Sequence, residues 1–490
     1  MERSKTNMSS KKKAKKPLIQ ASTKYKLLVG GIITAVVLVI GGYLVYQTAL
    51  PARILTGATI AGESVKVNEI NYHFNQSYSM YYQYGIITSR DDLDTVFDET
   101  TGQTYGDYLY EMAAQTQQSI VLLNQEAKKA GFVAESVDRQ VDEYIQTIRD
   151  YASTNNTTAD QVLKGQYGAG ITVRDVKNFM TRELTAQEYT EYLKQTAYTM
   201  TEEAMQAAYD AAPEDYDTVT FNAYLVAGQY AAAATADEIA FAVIAASEKA
   251  QTILDATTDA KSFHDASEAA AGADGASGFA DDADPTIFED INKSYITSYL
   301  TEDIAAYLFD ADRKAGDKEI ITTDTGAYAV YFQSRQLDEA ESASYRILTL
   351  DDTDVAAVKA KLEEYKTSVT DEASFISLAK IHSEDSATAY KGGLVSDVTA
   401  DSFDAAAATE QETALKAWLF SGERKAGDMV IIETTESATL YYYQKSLPSW
   451  KAGLSTSNAA TGYTAWYNAL AAEEGNGYTL SKKALEFATY

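Results

Sequence analysis

The sequence of 490 residues contains no cysteine and only three histidines, His73, His264 and His382, which lie far apart along the chain. The absence of cysteine excludes disulfide bonds, thiolate zinc sites, cysteine nucleophiles and a lipid anchor on cysteine. Three histidines this far apart give little support for a metal site or a catalytic triad. We expect neither a metal nor a cofactor. We interpret His382 and His264 as surface or helix-capping residues and His73 as structural.

Basic residues are scarce outside the N-terminus. The formal net charge is −30, yet residues 1–26 hold nine lysines and arginines against one acidic residue, which leaves 32 basic and 70 acidic residues in the rest of the chain. Such an acidic body repels nucleic-acid phosphates and resists non-specific association. We therefore expect no nucleic-acid partner.

One long apolar run follows the basic cluster. Residues 27–46 contain no charged side chain, and twenty residues at about 1.5 Å each span the roughly 30 Å hydrocarbon core of a bilayer. The positive-inside rule then predicts a cytoplasmic tail at 1–26, a single transmembrane anchor at 27–47 and an extracellular body at the cell membrane. A cleaved signal peptide is the alternative, although its apolar core is usually about 7–15 residues long.

One stretch occurs twice, with 111 residues between matched positions. The first copy has Leu308-Phe309 followed by Arg313-Lys314-Ala315-Gly316-Asp317, and the second has Leu419-Phe420 followed by Arg424-Lys425-Ala426-Gly427-Asp428. This period is too long for a solenoid repeat and has the size of one small domain, roughly 100 residues. We therefore predict a duplicated domain.

Periodicity and turn residues predict the elements of both copies. In the second copy they are a strand at 344–350, helices at 354–366 and 371–381, a glycine loop at 392–393, a helix at 410–420 and strands at 429–434 and 438–444. In the first copy they are a strand at 218–226, a helix at 231–251, a loop at 270–277 and strands at 318–323 and 327–332. This order predicts an α+β domain with a small, mostly antiparallel sheet.

The residues before the repeats are predicted to be mainly helical. Gly62-Glu63 forms a tight turn between two apolar stretches, and Asn68 is the expected N-cap of the helix that follows. Further helices are expected up to Gly131 and near 136–152, 158–166 and 172–195. After the second copy, helices are expected around 462–472 and 480–488.

Several of these residues together resemble a known family. Ser383-Glu384-Asp385 and Gly392-Gly393-Leu394, followed by the repeated Leu-Phe and Gly-Asp pairs, resemble the parvulin domain, a peptidyl-prolyl cis/trans isomerase. The first copy keeps the final part of this pattern without the double glycine. Upstream, residues 58–63 and the helices after them resemble the N-terminal chaperone region of PrsA- and SurA-type foldases.

The resemblance implies a membrane-tethered extracytoplasmic foldase of a Gram-positive bacterium. Its expected domains are a SurA-like helical chaperone domain at 53–200, a degenerate parvulin-like domain at 213–336, a second parvulin-like domain at 341–447 and a C-terminal helical segment at 448–490. Its expected partners are unfolded or newly secreted polypeptides. The sequence does not indicate an oligomeric state.

The catalytic pattern of the family is altered in both copies. Active parvulins carry one histidine in the first strand, in His-Ile-Leu, and another in the final hairpin, in Gly-Tyr-His. The second copy has Arg346-Ile347-Leu348 and Ser437-Ala438-Thr439 at these places, and the first copy has Ala223 and Gly326-Ala327-Tyr328. By position, the resemblance leaves Arg346, Thr439 and Phe420 as candidates for catalysis, and Tyr345, Leu394 and Phe420 as candidates for peptide binding.

Two functions follow. X-Pro isomerisation needs neither a nucleophile nor a metal, so an active isomerase in the second copy remains the alternative function. In that case Arg346 would hydrogen-bond the imide carbonyl of the substrate. We favour a different role for Arg346, in which it forms a surface ion pair. The favoured function is a chaperone that binds secreted chains. Tyr81 and Tyr82, within a cluster of tyrosines, are its expected peptide-binding residues, unless they only pack helices together.

Overall fold

The structure is a computed structural model that describes residues 49–279, 284–403, 408–422 and 424–488. The predicted cytoplasmic tail at 1–26 and membrane anchor at 27–47 lie outside the described residues. Among the helices that the structure describes, none combines the length and the apolar character needed to cross a bilayer.

The described chain is α+β. Its helices are α1 Leu50–Ile54, α2 Val67–Gln83, α3 Tyr105–Lys129, α4 Val137–Thr154, α5 Ala159–Tyr167, α6 Val173–Thr196, α7 Glu202–Ala211, α8 Ala236–Ala256, α9 Ala260–Gly275, α10 Lys293–Tyr299, α11 Glu302–Leu308, α12 Val355–Ser368, α13 Glu372–His382, α14 Ser386–Ala389, α15 Glu410–Leu419, α16 Ser449–Ala472 and α17 Lys482–Leu485. Its strands are β1 Thr56–Ile60, β2 Glu63–Lys66, β3 Val96–Asp98, β4 Gln103–Thr104, β5 Asp217–Ala227, β6 Ile287–Asn292, β7 Lys318–Thr323, β8 Gly326–Leu337, β9 Glu341–Thr349, β10 Leu394–Thr399, β11 Met429–Glu433, β12 Ala438–Pro448 and β13 Tyr478–Leu480.

The chain divides into two compact units. The first unit takes the described residues of Met1–Leu122, Val141–Arg182 and Ala471–Tyr490, and the second takes those of Leu123–Gln140 and Glu183–Leu470.

The first unit is built around a small antiparallel sheet and helix α2. A tight turn is present one residue earlier than predicted: Ala61 and Gly62, with φ +47° and +77°, join β1 to β2, and Glu63 already belongs to β2. The predicted N-cap at Asn68 is wrong, because the helix already begins at Val67. The N–H of Val67 donates to the carbonyl oxygen of Leu55 at 3.1 Å, so neighbouring backbone rather than an asparagine side chain caps this end.

The sheet of the first unit is completed by the C-terminal part of the chain. Strand β13 pairs with β1 in antiparallel register, with Ala58 opposite Leu480 and Ile60 opposite Tyr478. Leu485 of α17 is buried in the same core. The helix predicted at 480–488 is therefore wrong over most of its length, because its first residue ends a strand and only one short helical turn follows.

The second unit contains the predicted duplication. We call β5–β8 with their helices the first module, and β9–β12 with theirs the second module. The two sheets have the strand orders β6-β5-β8-β7 and β10-β9-β12-β11, so in each the chain visits the four positions in the same sequence. The two modules therefore share one α+β topology.

The repeated Arg-Lys-Ala-Gly-Asp stretch forms the same turn in both modules. Gly316 and Gly427 have φ +95° and +97°, a left-handed conformation that glycine adopts without steric cost. Their N–H groups donate to strand carbonyls 2.9 Å away, on Phe332 and Tyr443. The aspartate that follows each glycine accepts from the lysine N–H at 2.9 Å, so the motif is repeated because it fixes a turn.

Three further differences concern strands and helices of the modules. Strands β6 and β10 were not predicted; each lies at a sheet edge and pairs on one side only, with β5 or β9. The loop predicted at 270–277 is wrong, since the chain there is helical on both sides of Gly272, where φ is +68°. Helix α16 covers 449–472 and is thus much longer than the predicted helix at 462–472.

Helices cover one side of the second module. Lys380 of α13 places Nζ 2.9 Å from Oε1 of Glu188, whose side chain is fully buried. The same carboxylate accepts from the hydroxyl of Ser136 at 2.6 Å and from the N–H groups of Ser136 and Glu135. A buried charge needs such partners, so this cluster holds α13 of the module to Glu188 of α6 and to residues 135–136, just before α4.

Candidate functional site

Arg346 lies in the middle of β9, opposite Leu394 of the edge strand β10. The residue is only 2% exposed. Its Nε donates to Oε1 of Glu372 at 2.8 Å, and its Nη1 donates to the carbonyl oxygens of Lys391 at 3.1 Å and Gly392 at 3.0 Å. The expected ion pair is present, but it is not at the surface, because β10 and helix α13 cover the guanidinium.

The donors of Arg346 are directed at the protein itself. Nη2 lies 3.4 Å from Oε1 of Gln195, so all three guanidinium nitrogens have acceptors. An arginine offers five N–H donors in a fixed fork, and here the fork holds the glycine turn against the sheet. In this geometry Arg346 is a structural residue rather than one presented to a substrate carbonyl.

The double glycine has a steric explanation. Gly392 and Gly393 have φ +70° and +75°. A Cβ atom on Gly393 would lie 2.2 Å from the carbonyl oxygen of Ile347, and one on Gly392 would lie 2.8 Å from Cγ2 of Ile376. The turn therefore approaches β9 so closely that only glycine fits, whether or not the module has catalytic activity.

Thr439, Tyr345 and Phe420 belong to the other face of the sheet. Tyr345 is buried beside Tyr441, with ring centroids 5.9 Å apart, and Phe420 packs in the same cluster against α15. Gln411 of α15 donates to the hydroxyls of Thr439 at 2.9 Å and Tyr441 at 2.8 Å. Successive residues of a strand alternate between faces, so the catalytic candidates Arg346 and Thr439 do not converge on one site.

Two tyrosines of this second face keep their protons near neutral pH. Burial raises the pKa of Tyr345 and of Tyr441, so both phenols stay protonated. The histidines of the second unit lie elsewhere. His382 ends α13, where its ring stacks on Tyr365 at 4.8 Å, and His264 lies in α9, edge-on to Phe279 at 5.3 Å.

The third histidine is in the core of the first unit. His73 is 2% exposed, and its Nδ1 lies 3.0 Å from Oε1 of Gln76. Burial lowers the pKa of His73 to about 4, so the ring is neutral at pH 7. Across the part of the chain that the structure describes, no group of three or more His, Cys, Asp and Glu residues is placed to hold a metal ion.

The face of the second module that carries Arg346 opens into a cleft of about 510 Å³ within the second unit. Arg346, Glu372 and Gln444 line it, and Gln444 donates to the same Glu372 oxygen as Arg346 does, at 2.7 Å. Leu394 also lines this cleft, whereas Tyr345 does not. The peptide-binding candidates of the second module are thus divided between the two faces of its sheet.

Aromatic side chains form an exposed surface on the first unit, where α2 ends and the β3–β4 hairpin begins. Tyr84 is 78% exposed, Tyr82 54% and Phe97 48%. We call this the aromatic surface and define it by its residues: Tyr81, Tyr82, Tyr84, Ile86, Val96, Phe97, Tyr105 and Tyr108. Exposed apolar side chains grouped in one region of a soluble protein mark a candidate binding site.

Ring contacts connect the parts of the aromatic surface. The ring of Phe97 lies 4.9 Å from that of Tyr108 and 5.3 Å from that of Tyr105, and Tyr108 lies 6.2 Å from Tyr81. The hydrogen bond to Tyr108 raises the pKa of Tyr81 to about 12. Tyr81 is therefore held against Tyr108, whereas the ring of its neighbour Tyr82 stacks on that of Tyr78 at 6.2 Å and is 54% exposed.

Sequence reasoning missed the hairpin part of this surface. Val96 and Phe97 are both about half exposed, although they lie in a strand. The hairpin forms a sheet of two strands, in which the partner strand contributes only Gln103 and Thr104. The available signal was the apolar pair Val96-Phe97 directly before the polar turn that leads to Gly102.

Comparison with known proteins gives few matches. No protein-family model matches the sequence, and no curated protein sequence matches it. Among solved structures, the chain is similar to the crystal structure of the peptidylprolyl isomerase PrsA from Bacillus anthracis, at 15% sequence identity and a TM-score of 0.19, over 54% of this chain and 91% of that chain. A TM-score and an identity this low carry no argument about function.

Proposed function

We propose that this protein is a foldase of the chaperone type, which binds unfolded or newly secreted polypeptides outside the cytoplasm. The observation that carries the proposal is the aromatic surface of the first unit, with Tyr82, Tyr84 and Phe97 about half or more exposed. Tyrosine combines an apolar ring with a polar tip at a low cost in side-chain entropy, which suits a surface that must bind many sequences.

In this proposal the two modules act without isomerase catalysis. The two positions inferred from the parvulin resemblance are occupied by interactions within the protein: Arg346 holds the glycine turn, and Gln411 ties down Thr439. Catalysis requires groups that bind the transition state better than the substrate, and groups already paired internally are poor candidates. Binding of polypeptides needs no such groups.

The proposal includes the membrane anchor at 27–47, with the basic tail inside the cell and the acidic body outside. Protease added to intact cells should then degrade the body and leave a small fragment that contains the N-terminus. Complete protection of the body in intact cells, with degradation only after lysis, would overturn this location.

The proposed binding is tested by suppression of aggregation of a chemically unfolded protein by the full chain. The test variant is Tyr82→Ser/Tyr84→Ser/Phe97→Ser. The matched control is Tyr295→Ser/Tyr299→Ser/Phe241→Ser, which removes two tyrosines and one phenylalanine that are exposed in the first module. We expect the test variant to lose most of the suppression and the control to keep it; equal activity of both would contradict the proposal.

A prolyl isomerase assay on the same full chain tests the alternative function. The expected result is no acceleration above the uncatalysed rate, because neither copy presents a histidine or an uncommitted arginine at the matching positions. A clear acceleration that Arg346→Met abolishes in a folded protein would make the second module an enzyme.

A further inference from the structure

The aromatic surface is bordered by carboxylates. Residues 85–111 contain seven acidic residues, with Glu111 as the last, and one basic residue, Arg90. Three of the acidic side chains are exposed beside the surface. Asp91 and Asp94 lie in the turn that leads to Val96, and Glu99 follows β3 in the hairpin. We call these three residues the acidic rim.

Two other carboxylates of this segment hold its backbone in place. Asp92 accepts from the N–H groups of Thr88 and Ser89 at 2.7 and 3.0 Å, and these bonds lower its pKa. Asp98 accepts from the N–H of Thr100 at 2.8 Å in the hairpin turn. The acidic rim is therefore carried on a segment that is fixed by its own hydrogen bonds.

The one basic residue of the segment, Arg90, contacts helix α2. The guanidinium of Arg90 stacks 3.8 Å above the ring centroid of Tyr78, and its Nη2 donates to Oδ1 of the buried Asn75 at 2.7 Å. Arg90 is thus directed toward α2, while Asp91 and Asp94 face solvent. Charges within about 8–10 Å interact at physiological ionic strength, so a ligand on the aromatic surface experiences the rim.

We propose that the aromatic surface selects polypeptide segments in which aromatic or aliphatic residues are flanked by lysine or arginine. This inference rests on the proposed function and specifies its ligand. The rings supply an apolar contact that tolerates many sequences, and the rim adds attraction for cationic flanks and repulsion for anionic ones. A cation over a tyrosine face gains further energy, which an anionic segment cannot do.

Fluorescence anisotropy with three labelled peptides tests the selection. The peptides share one aromatic core and carry lysine, glutamine or glutamate flanks. We expect the full chain to bind the lysine peptide roughly tenfold more tightly than the glutamate peptide at low salt, and the ratio to fall toward one as salt screens the charges. A tenfold ratio is ordinary for a few partly screened charge contacts.

Two variants with the same change in net charge distinguish the contribution of the rim to peptide selection from that of the acidic body as a whole. Asp91→Asn/Asp94→Asn/Glu99→Gln neutralises the rim, and Glu289→Gln/Glu339→Gln/Glu474→Gln neutralises three exposed carboxylates elsewhere. The rim variant should bind all three peptides alike, while the control should keep the preference for lysine.

The other outcomes are distinguishable. Equal binding of the three peptides by the unaltered chain overturns the selection and leaves the proposed function standing. If the rim variant still prefers the lysine peptide, the preference comes from the negative charge of the whole body and not from the rim. This result also overturns the inference. If no peptide binds, and Tyr82→Ser/Tyr84→Ser/Phe97→Ser leaves aggregation suppression unchanged, the proposed function itself fails at this surface.

Discussion

Nε of Arg346 donates to Oε1 of Glu372 at 2.8 Å, and this pair joins the first strand of the second module to the start of helix α13. Arg346→Met should destabilise the module by about 3 kcal/mol, because it removes the buried donor of the Lys391 and Gly392 carbonyls and leaves Glu372 with Gln444 as its remaining partner. Urea unfolding of the full chain measures the loss. Lys359→Met removes an exposed ion pair of the same module and should leave the transition unchanged; similar behaviour of both variants would contradict a structural role for Arg346.

The glycine turn gives a prediction with a close internal control. Gly393→Ala should cost about 3 kcal/mol or more, because its Cβ would lie 2.2 Å from a backbone oxygen in addition to the strain of a positive φ. Gly422 has the same φ of +75° with no atom within 4 Å of a Cβ, so Gly422→Ala should cost only about 1–2 kcal/mol. Thermal unfolding of the two variants separates the cost of the steric contact from the cost of the backbone strain. Equal losses of stability in both variants would mean that the turn can move away from β9.

His73 predicts how the stability of the first unit depends on pH. The folded state keeps the ring neutral down to a pKa of about 4, whereas the unfolded chain takes up a proton near 6.5. Stability is therefore full above about pH 6.5 and falls as the pH drops toward 4, by up to about 3 kcal/mol, since one pH unit of pKa difference corresponds to about 1.4 kcal/mol.

His73→Gln removes the titrating group and should flatten this part of the stability profile, measured by urea unfolding at several pH values between 4 and 7. His264→Gln removes a histidine outside this core and should keep the original slope. An unchanged slope in His73→Gln would assign the acid sensitivity to other groups.

The C-terminal part of the chain should contribute to the stability of the first unit. Leu485 is 7% exposed in the core and Phe487 is 46% exposed. Leu485→Ala should cost about 2–3 kcal/mol, whereas Phe487→Ala should change the stability by less than about 0.5 kcal/mol. Hydrogen exchange of the β1 and β2 amides measures the effect locally; equal protection in both variants would show that this core does not depend on α17.

The sequence was most informative where the signal was local. The repeat predicted two copies of one topology, because each copy needs the same glycine and aspartate to close the same turn, and strand β7 was predicted over its full extent, 318–323. Helix boundaries such as 371–381 were close, since Asp371 caps α13 with its own side chain. These features depend on residues a few positions apart, so they can be predicted from local sequence patterns.

The failures concern partners that are distant in sequence. Strand β13 consists of three residues, and only its pairing with β1 makes it a strand. The burial of Arg346 depends on Glu372, Gly392 and Gln195, none of which is near it in the sequence. For the candidate site, Tyr82 could be recognised as part of an aromatic cluster, but the contribution of Phe97 could not, because it depends on the packing of the β3–β4 hairpin beside Tyr105 and Tyr108 of α3.

The pairing of β13 with β1 has a consequence for the order of events during synthesis. A ribosome releases β1 early and β13 near the end of the described chain, so the sheet of the first unit stays open at one edge while both modules emerge and fold. Contacts between distant parts of a chain form slowly because a long loop must close first. The unit that carries the aromatic surface is therefore expected to mature after both modules, and the protein should acquire its proposed ability to assist other chains only once β13 has been synthesised and has paired with β1.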